Sequence, residues 1–230
     1  MIDVRSFTSL GHADHGWLDA RHHFSFADYR DPERMGWGRI RVWNDDRIAA
    51  NSGFPPHPHR DMEIVTYVRT GAITHQDSLG NTGRTVAGDV QVMSAGTGVT
   101  HSEFNLEEEE TTLYQIWIES DRPGTPPAWG AMPFPKKDRD GAFQLLASGA
   151  NNDGALTINA DARIFGATLS PSTSIDHVAD PERHLYLVSS VRALVNGVAA
   201  HGGDGIAITG EALLRIGAEE DIELLLVDAR

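Results

Sequence analysis

Cysteine is absent from the 230 residues, which removes disulfides, thiolate metal ligands and a cysteine nucleophile in one step. Long apolar runs are missing too. The longest purely aliphatic stretch, Leu224 to Val227, is far too short to span a bilayer. The opening MIDVRSFTSLGHADHG has no apolar core of the signal-peptide kind, so a cytoplasmic location is expected. Basic residues are scarce: 19 Lys and Arg face 33 Asp and Glu, a net charge of −14. Such a field repels phosphate backbones and anionic membranes, so neither direct nucleic-acid binding nor membrane attachment is expected. Sustained helical periodicity over three or four turns is hardly seen either.

What is present reads as strand. Val65–Val68, Asp89–Met93, Leu113–Ile118 and Ile222–Val227 are rich in β-branched and aromatic residues and are bounded by turn signals. Short helices are expected near Asp31-Pro32-Glu33-Arg34 and Asp180-Pro181-Glu182, where Asp can cap and Pro suits the first turn. Many short strands between glycine-containing turns argue for an all-β sandwich or barrel. Residues 121–140 hold Pro123, Pro126, Pro127, Pro133 and Pro135, the composition of a connector. An internal echo supports that cut. Gly88-Asp89 before Val90–Met93 is repeated by Gly203-Asp204 before Gly205–Ile208, and Tyr67-Val68 can be set against Tyr186-Leu187. Two related β-domains, 1–135 and 136–230, are expected.

Histidine carries the chemistry. His57-Pro58-His59 and His101-Ser102-Glu103 each have i, i+2 spacing, and on an extended strand such residues project from one face. The two pairs supply three imidazoles and one carboxylate. That donor set suits iron, manganese, cobalt, nickel, copper or zinc, whereas magnesium or calcium would want mostly oxygen. Four protein ligands on an octahedral ion leave two positions for substrate, or for substrate plus dioxygen. Other signals are weaker. His12, His15, His22 and His23 read as packing or surface groups, Gly96-x-Gly98 lacks the third glycine of a dinucleotide fingerprint, and Glu107–Glu110 reads as a solvated acidic turn. Phe54, Met93 and Trp117 read as core residues near the candidate ligands.

At these positions the chain resembles the cupin superfamily. Gly53, His57, His59, Glu63 and Gly71 are similar to its first motif, and Gly88, Gly98, His101 and Asn105 to its second. The spacings from Gly53 to His57 and from Glu63 to Gly71 depart from the usual ones, and Gly96 stands where a proline is common. The surrounding text is more specific. HADHGWLD from His12, HFSFADY from His23, FPPHPHRDME from Phe54 and MSAGTG from Met93 resemble the pirin family, densely over residues 10–120 and more thinly beyond.

The resemblance implies a bicupin: two jelly-roll β-barrel domains with few short helices, of which only the first binds metal. It implies His57, His59, His101 and Glu103 as ligands, with Fe(II) the expected ion. Glu63 fills the slot where many other cupins have their carboxylate, and here it is expected to orient an imidazole. The repeat puts Asp176, Val178, Ile216 and Ala218 at the ligand positions of the second domain, which is therefore expected to hold no metal; His177, His184 and His201 are expected to be ordinary polar residues. The activity implied is a quercetin 2,3-dioxygenase-like oxidation. The metal acidifies the 3-hydroxyl of a flavonol, or of a related enolisable aromatic, and Glu103 takes the proton; O2 then opens the heterocycle with loss of carbon monoxide. The resemblance also implies an alternative, a metal-dependent regulatory protein that binds another protein, a transcriptional co-regulator or metabolic-enzyme modulator. A deep, open, aromatic-lined cavity over the metal would favour catalysis. A monomer is expected.

Overall fold

The computed structural model describes residues 1–150 and 154–230. Strand β1 (Ile2–Arg5) is followed by β2 (Gly11–Asp14), β3 (Leu18–His22), β4 (Ile40–Ile48), β5 (Ser52–His59), β6 (Met62–Thr70), β7 (Ala72–Asp77), β8 (Thr82–Val86), β9 (Val90–Ser94), β10 (Val99–Asn105), β11 (Thr111–Glu119) and β12 (Ala128–Met132). The second half continues with β13 (Gln144–Ser148), β14 (Leu156–Thr157), β15 (Ala162–Leu169), β16 (Ser174–Val178), β17 (His184–Ser189), β18 (Ala193–Val195), β19 (Val198–Ala200), β20 (Gly205–Ile208), β21 (Leu213–Ala218) and β22 (Ile222–Ala229). Helix is confined, among the described residues, to short 3-10 turns at Phe7–Ser9, Pro32–Arg34 and Lys136–Arg139. The one at Pro32 forms as expected, with the Asp31 side chain accepting from the Glu33 amide. The helix expected at Asp180 does not form; Asp180 instead accepts from the Glu182 and Arg183 amides in a turn.

The two halves are built alike, and the fold is an all-β pair of barrels. A seven-stranded sheet β12-β9-β6-β11-β4-β3-β2 faces a four-stranded sheet β5-β10-β7-β8, and the order β20-β17-β22-β15 facing β16-β21-β18-β19 repeats that core in the second half. One exchange departs from the sequence division at residue 135. β1, at the very start, pairs with β20 in the second barrel's sheet, so residues assigned by sequence to the first domain straddle both. The stretch 121–140 is also more than a connector, because β12 within it pairs with β9 along the edge of the first sheet.

The largest apolar cluster lies between the barrels. Trp43, Val65, Tyr114 and Ile116 from one large sheet pack against Ile164, Tyr186, Leu225 and Val227 from the other. Buried Arg139 joins the halves through Tyr67, Glu223 and the Gly88 carbonyl. The second barrel is filled by one continuous cluster that includes Ile175, Leu187, Ile206, Ile216 and Leu226. In the first, the interior apolar residues split into two small groups, one around Ile48, Val68 and Leu113 and one around Ile64, Met93 and Val99. Polar side chains and a cavity lie in the same interior.

Candidate metal centre and its cavity

Strand β5 carries Pro55, Pro56 and Pro58 and still pairs, because it is the edge of its sheet and proline's missing donor costs nothing on that side. It is antiparallel to β10, with His57 opposite His101 and His59 opposite Val99. The strands approach closely where Gly53 meets Glu103: a Cβ on Gly53 would sit 2.3 Å from the Glu103 carbonyl oxygen. A bulge between His101 and Glu103 shifts the register, so Glu103 faces Phe54.

The three imidazoles converge. Candidate ligand atoms of His57, His59 and His101 all lie within 4.8 Å of one another, and the Nε2 atoms of His57 and His101 are 3.1 Å apart. Two nitrogens bound side by side to one ion at about 2.1 Å would be about 3.0 Å apart, so the spacing suits a shared metal. His57 Nδ1 donates to the Pro55 carbonyl at 2.7 Å, which aims Nε2 inward. His59 packs edge-on to Trp117, ring centroids 4.9 Å apart. Burial lowers the pKa of His101 to about 3, with the neighbouring imidazoles of His57, His59 and His75 adding to it. Burial, then His57, lowers that of His59 to about 4. Both rings are neutral at pH 7 and present lone pairs.

Glu103 opens onto the same cavity but groups with His101 and His75 rather than with His57 and His59. Its Oε1 accepts from Gln91 Nε2 at 2.6 Å, and its Oε2 from Gln115 Nε2 at 2.7 Å. The Thr66 hydroxyl is 3.0 Å from both Glu103 Oε1 and Gln115 Oε1, and its single proton serves one at a time. Oε2 retains a free lone pair, the capacity a metal ligand needs. Burial raises the Glu103 pKa, although His75 and the hydrogen bonds from Thr66 and Gln115 pull the other way.

His75 and Asp77 are functional-site residues that sequence reasoning missed. On β7, His75 stands opposite Glu103 and Asp77 opposite His101. His75 is fully buried, stacked on Trp129 with ring planes 10° apart. Its Nε2 is 3.2 Å from Asp77 Oδ2, and its Nδ1 is 3.4 Å from His101 Nδ1. Burial disfavours the Asp77 carboxylate, but hydrogen bonds from Asn81, His75 and Leu79 outweigh it and its pKa is lowered. The ionised carboxylate only accepts, so His75 Nε2 donates to it. With one proton on each ring, His75 Nδ1 then accepts and His101 Nδ1 carries the proton, which leaves His101 Nε2 deprotonated and facing His57. The chain thus sets the tautomer a ligand requires.

Glu63 does not orient an imidazole as expected. It points away from the cavity on β6 and accepts from Ser94 Oγ at 2.5 Å and from Asn159 of the second half. The parity of the strand explains this, since its neighbour Ile64 is the residue that lines the cavity. Phe54 and Trp117 line the cavity, whereas Met93 is core. His12, His15 and His22 are cavity-wall residues rather than ligands, and His23 is buried between the barrels with Nδ1 3.0 Å from the Tyr186 hydroxyl.

In the second barrel the sequence repeat is off by one residue. Asp176 pairs with exposed Arg215, and Val178 is 83% exposed. The pairing instead puts Ile175 opposite Ile216 and His177 opposite Leu214, as His57 stands opposite His101 and His59 opposite Val99. Ile175 and His177 therefore occupy the positions of His57 and His59, while Ile216 and Ala218 keep those assigned from sequence. His177 packs between Phe143 and Phe165, His184 packs edge-on to Trp37, and His201 is exposed.

The cavity over the three histidines has a volume of about 780 Å³ and is walled by Trp17, Phe26, Tyr29, Phe54 and Trp117. That size is within the range of about 300–1,000 Å³ usual for small-molecule sites. Comparison with known proteins agrees with this arrangement. Residues 3–118 match the Pirin family model, and residues 145–229 match the quercetinase C-terminal cupin domain. The chain is 62% identical over 230 residues to a Pseudomonas aeruginosa protein provisionally named a quercetin 2,3-dioxygenase, with 99% of each chain covered. It is 44% identical over 230 residues to the quercetin 2,3-dioxygenase of Escherichia coli K12, covering 99% of this chain and 98% of that one. The crystal structure of the Escherichia coli bacterial pirin YhhW in complex with nickel(II) superposes with a TM-score of 0.93 at 42% identity, covering 100% of this chain and 99% of that one. With its paired barrels, its converging histidines and relatives matched end to end, this chain belongs to the pirin family of bicupins.

Proposed function

We propose that this protein is a metal-dependent dioxygenase that opens the heterocycle of a flavonol such as quercetin, or of a related enolisable aromatic, with O2. The observation that carries the reading is the three-imidazole cluster opening onto a large aromatic-walled cavity. The donor set fits one divalent transition metal held by His57, His59, His101 and Glu103. Fe(II) is the expected ion; the nickel(II) complex of the relative keeps nickel in the test alongside manganese, cobalt, copper and zinc. When bound, the metal supplies Lewis-acid stabilisation of a deprotonated substrate oxygen.

The chain's own residues do the rest. Trp17, Phe54 and Trp117 offer apolar surface to a planar ring system and exclude water from it. Glu103 Oε2 has one lone pair free of Gln115, and when that lone pair is not engaged as a ligand it takes the hydroxyl proton, while Gln91 and Gln115 hold the carboxylate in position. A raised pKa suits a group that must accept a proton near neutrality. The first barrel is the reactive domain and the second, with Ile175, His177, Ile216 and Ala218 at the corresponding positions and so a single imidazole there, is its structural partner. The regulatory reading needs the same metal but not a cavity of this size, which is why catalysis is preferred.

Oxygen uptake and carbon monoxide release on a flavonol panel, after anaerobic loading with each metal, test the proposal. Glu103→Gln keeps an oxygen donor and loses the basicity, so metal should stay while turnover falls by about 10²-fold or more. Wild-type protein that turns over no flavonol with any of these metals would overturn the reading.

A further inference from the structure

Two adjacent aspartates on β4 have opposite fates. Asp45 points toward the seam between the barrels and is paired with Arg69 at 2.8 Å. Asp46 points into the first barrel and lines the cavity beside Asn44, Glu103 and Gln115. It is 2% exposed, its Oδ1 is enclosed without a partner, and its side chain makes no hydrogen bond or ion pair among the described residues. Its polar neighbours are engaged: Asn44 Oδ1 is 2.9 Å from His22 Nδ1, and Gln115 Nε2 donates to Glu103.

An unpartnered buried carboxyl is costly, and chains retain one where function requires it. The fold does not require it here. Asp46 stands opposite Leu113 as Ala167 stands opposite Leu224 in the second barrel, and Ala167 is core. Burial raises the Asp46 pKa well above the usual carboxylate range, with Asp45 and Glu103 adding to the effect. A buried carboxyl oxygen without a partner on a cavity wall is a hydrogen-bonding point for a ligand's polar group.

We propose that Asp46 is a substrate-anchoring residue: its free carboxyl receives a ring hydroxyl of the hydroxylated aromatic in the cavity and so selects among hydroxylation patterns. This rests on the flavonol reading and deepens it by naming the group that sets specificity. Aromatic walls grip any planar ring alike, whereas a buried group built to bond a hydroxyl rejects the analogue that lacks it. Asp46 is the buried carboxyl on that wall whose side chain is uncommitted to such a bond; the indole Nε1 of Trp117 is also unpartnered there but can only donate.

The test is ligand binding to nickel(II)-loaded protein without oxygen, read by quenching of tryptophan fluorescence. The probes are quercetin and analogues that each lack one ring hydroxyl. Wild type should bind at least one analogue about 10-fold or more weakly than quercetin. Asp46→Ala should erase that difference and leave the other preferences intact, and Asp46→Asn, which keeps an acceptor oxygen, should retain most of it. In the absence of ligand the Tm of Asp46→Ala should be no lower than that of wild type, because an unpartnered carboxyl has been removed. Unchanged preferences in both variants would overturn the proposal and leave the flavonol reading standing. Wild type binding none of the probes would overturn both. Lowered Tm with equal loss of every ligand would overturn the proposal and mark Asp46 as structural; should the alanine variant not fold, Asp46→Leu, close in size and without an acceptor, should lose the same preference, and its retention would overturn the proposal.

Discussion

The two barrels share one strand order and differ in what fills them. Strand pairing matches Gln115 to Leu226, Thr66 to Leu187, Gln91 to Ile206, Asn44 to Phe165 and Asp46 to Ala167. On the smaller sheet it matches His101 to Ile216, Glu103 to Ala218, His75 to Ala193 and Asp77 to Val195. Each polar member of the first set has an apolar counterpart buried in, or packed against, the second barrel's core. The polar interior is therefore not a demand of the fold, which closes equally well around isoleucine and leucine. It is a set of groups held in mutual hydrogen bonds at the expense of packing, and it leaves space for a ligand. Among the described residues the second barrel is filled by one continuous apolar cluster, and it contributes the large sheet against which the first one rests.

The largest effects should come from exchanging residues between matched positions. His101→Ile makes the first barrel's key position that of the second. It removes the imidazole common to both histidine groups, and elemental analysis should show metal falling from one equivalent to nearly none. Retained stoichiometry would break the assignment of the site. The reciprocal Ile216→His buries an imidazole with no hydrogen-bond partner in a fully packed core, which should cost about 3 kcal/mol or more in urea unfolding. It should add no metal, since Ile175 and Ala218 supply no donor and His177, packed between Phe143 and Phe165, would be the one other imidazole at the matched positions. A second equivalent of bound metal would show that the two interiors are closer in character than their packing implies.

A smaller effect should separate ligand from support. Asp77→Asn, at the position of Val195, removes the negative acceptor that fixes His75 and, through it, the protonation of His101. Outer groups of this kind typically govern about 10–100-fold in metal affinity. Competition with a chelating dye should show a weakening of that size with stoichiometry still reaching one equivalent at saturation. Affinity equal to wild type would mean that His101 finds its tautomer without the chain.

These outcomes bear on what the sequence could reveal. The His57/His59 and His101/Glu103 pairs were legible because side-chain direction in a strand repeats every two residues, a purely local rule. His75 and Asp77 obey the same rule, but their meaning comes from the pairing of β7 with β10, which no local pattern specifies. Asp46 was invisible for a related reason: in Asn44-Asp45-Asp46 the residues alternate between seam and cavity, and only the partner strands decide which is which. The second barrel shows how sharp the limit is. A register slip of one residue exchanged Ile175 and His177, which face inward, for Asp176 and Val178, which face solvent. Glu63 was misread by the same parity. The strand β1 escaped detection because its partner β20 lies at the far end of the chain.

The smallest effect tests the seam between the barrels, where His23 packs against Trp43 of one and Tyr186 of the other. Burial lowers the His23 pKa to about 3, and the positive charges of Arg5 and Arg34 contribute further. The unfolded chain binds the proton near the ordinary pKa of about 6.5. Folding stability from this group is therefore fully present above pH 6.5 and is lost as pH falls toward 3. Between pH 6.5 and 5.5 the loss should be about 1 kcal/mol. His23→Gln can still bond the Tyr186 hydroxyl but does not titrate. Urea unfolding of the metal-free proteins at the two pH values should show wild type losing about 1 kcal/mol more than the variant. Comparing the two proteins cancels the contributions of His59 and His101, whose pKa values are lowered as well. If both lose stability in parallel, His23 is protonated in the folded state, and the seam is more open to water and less firmly packed than either barrel it joins.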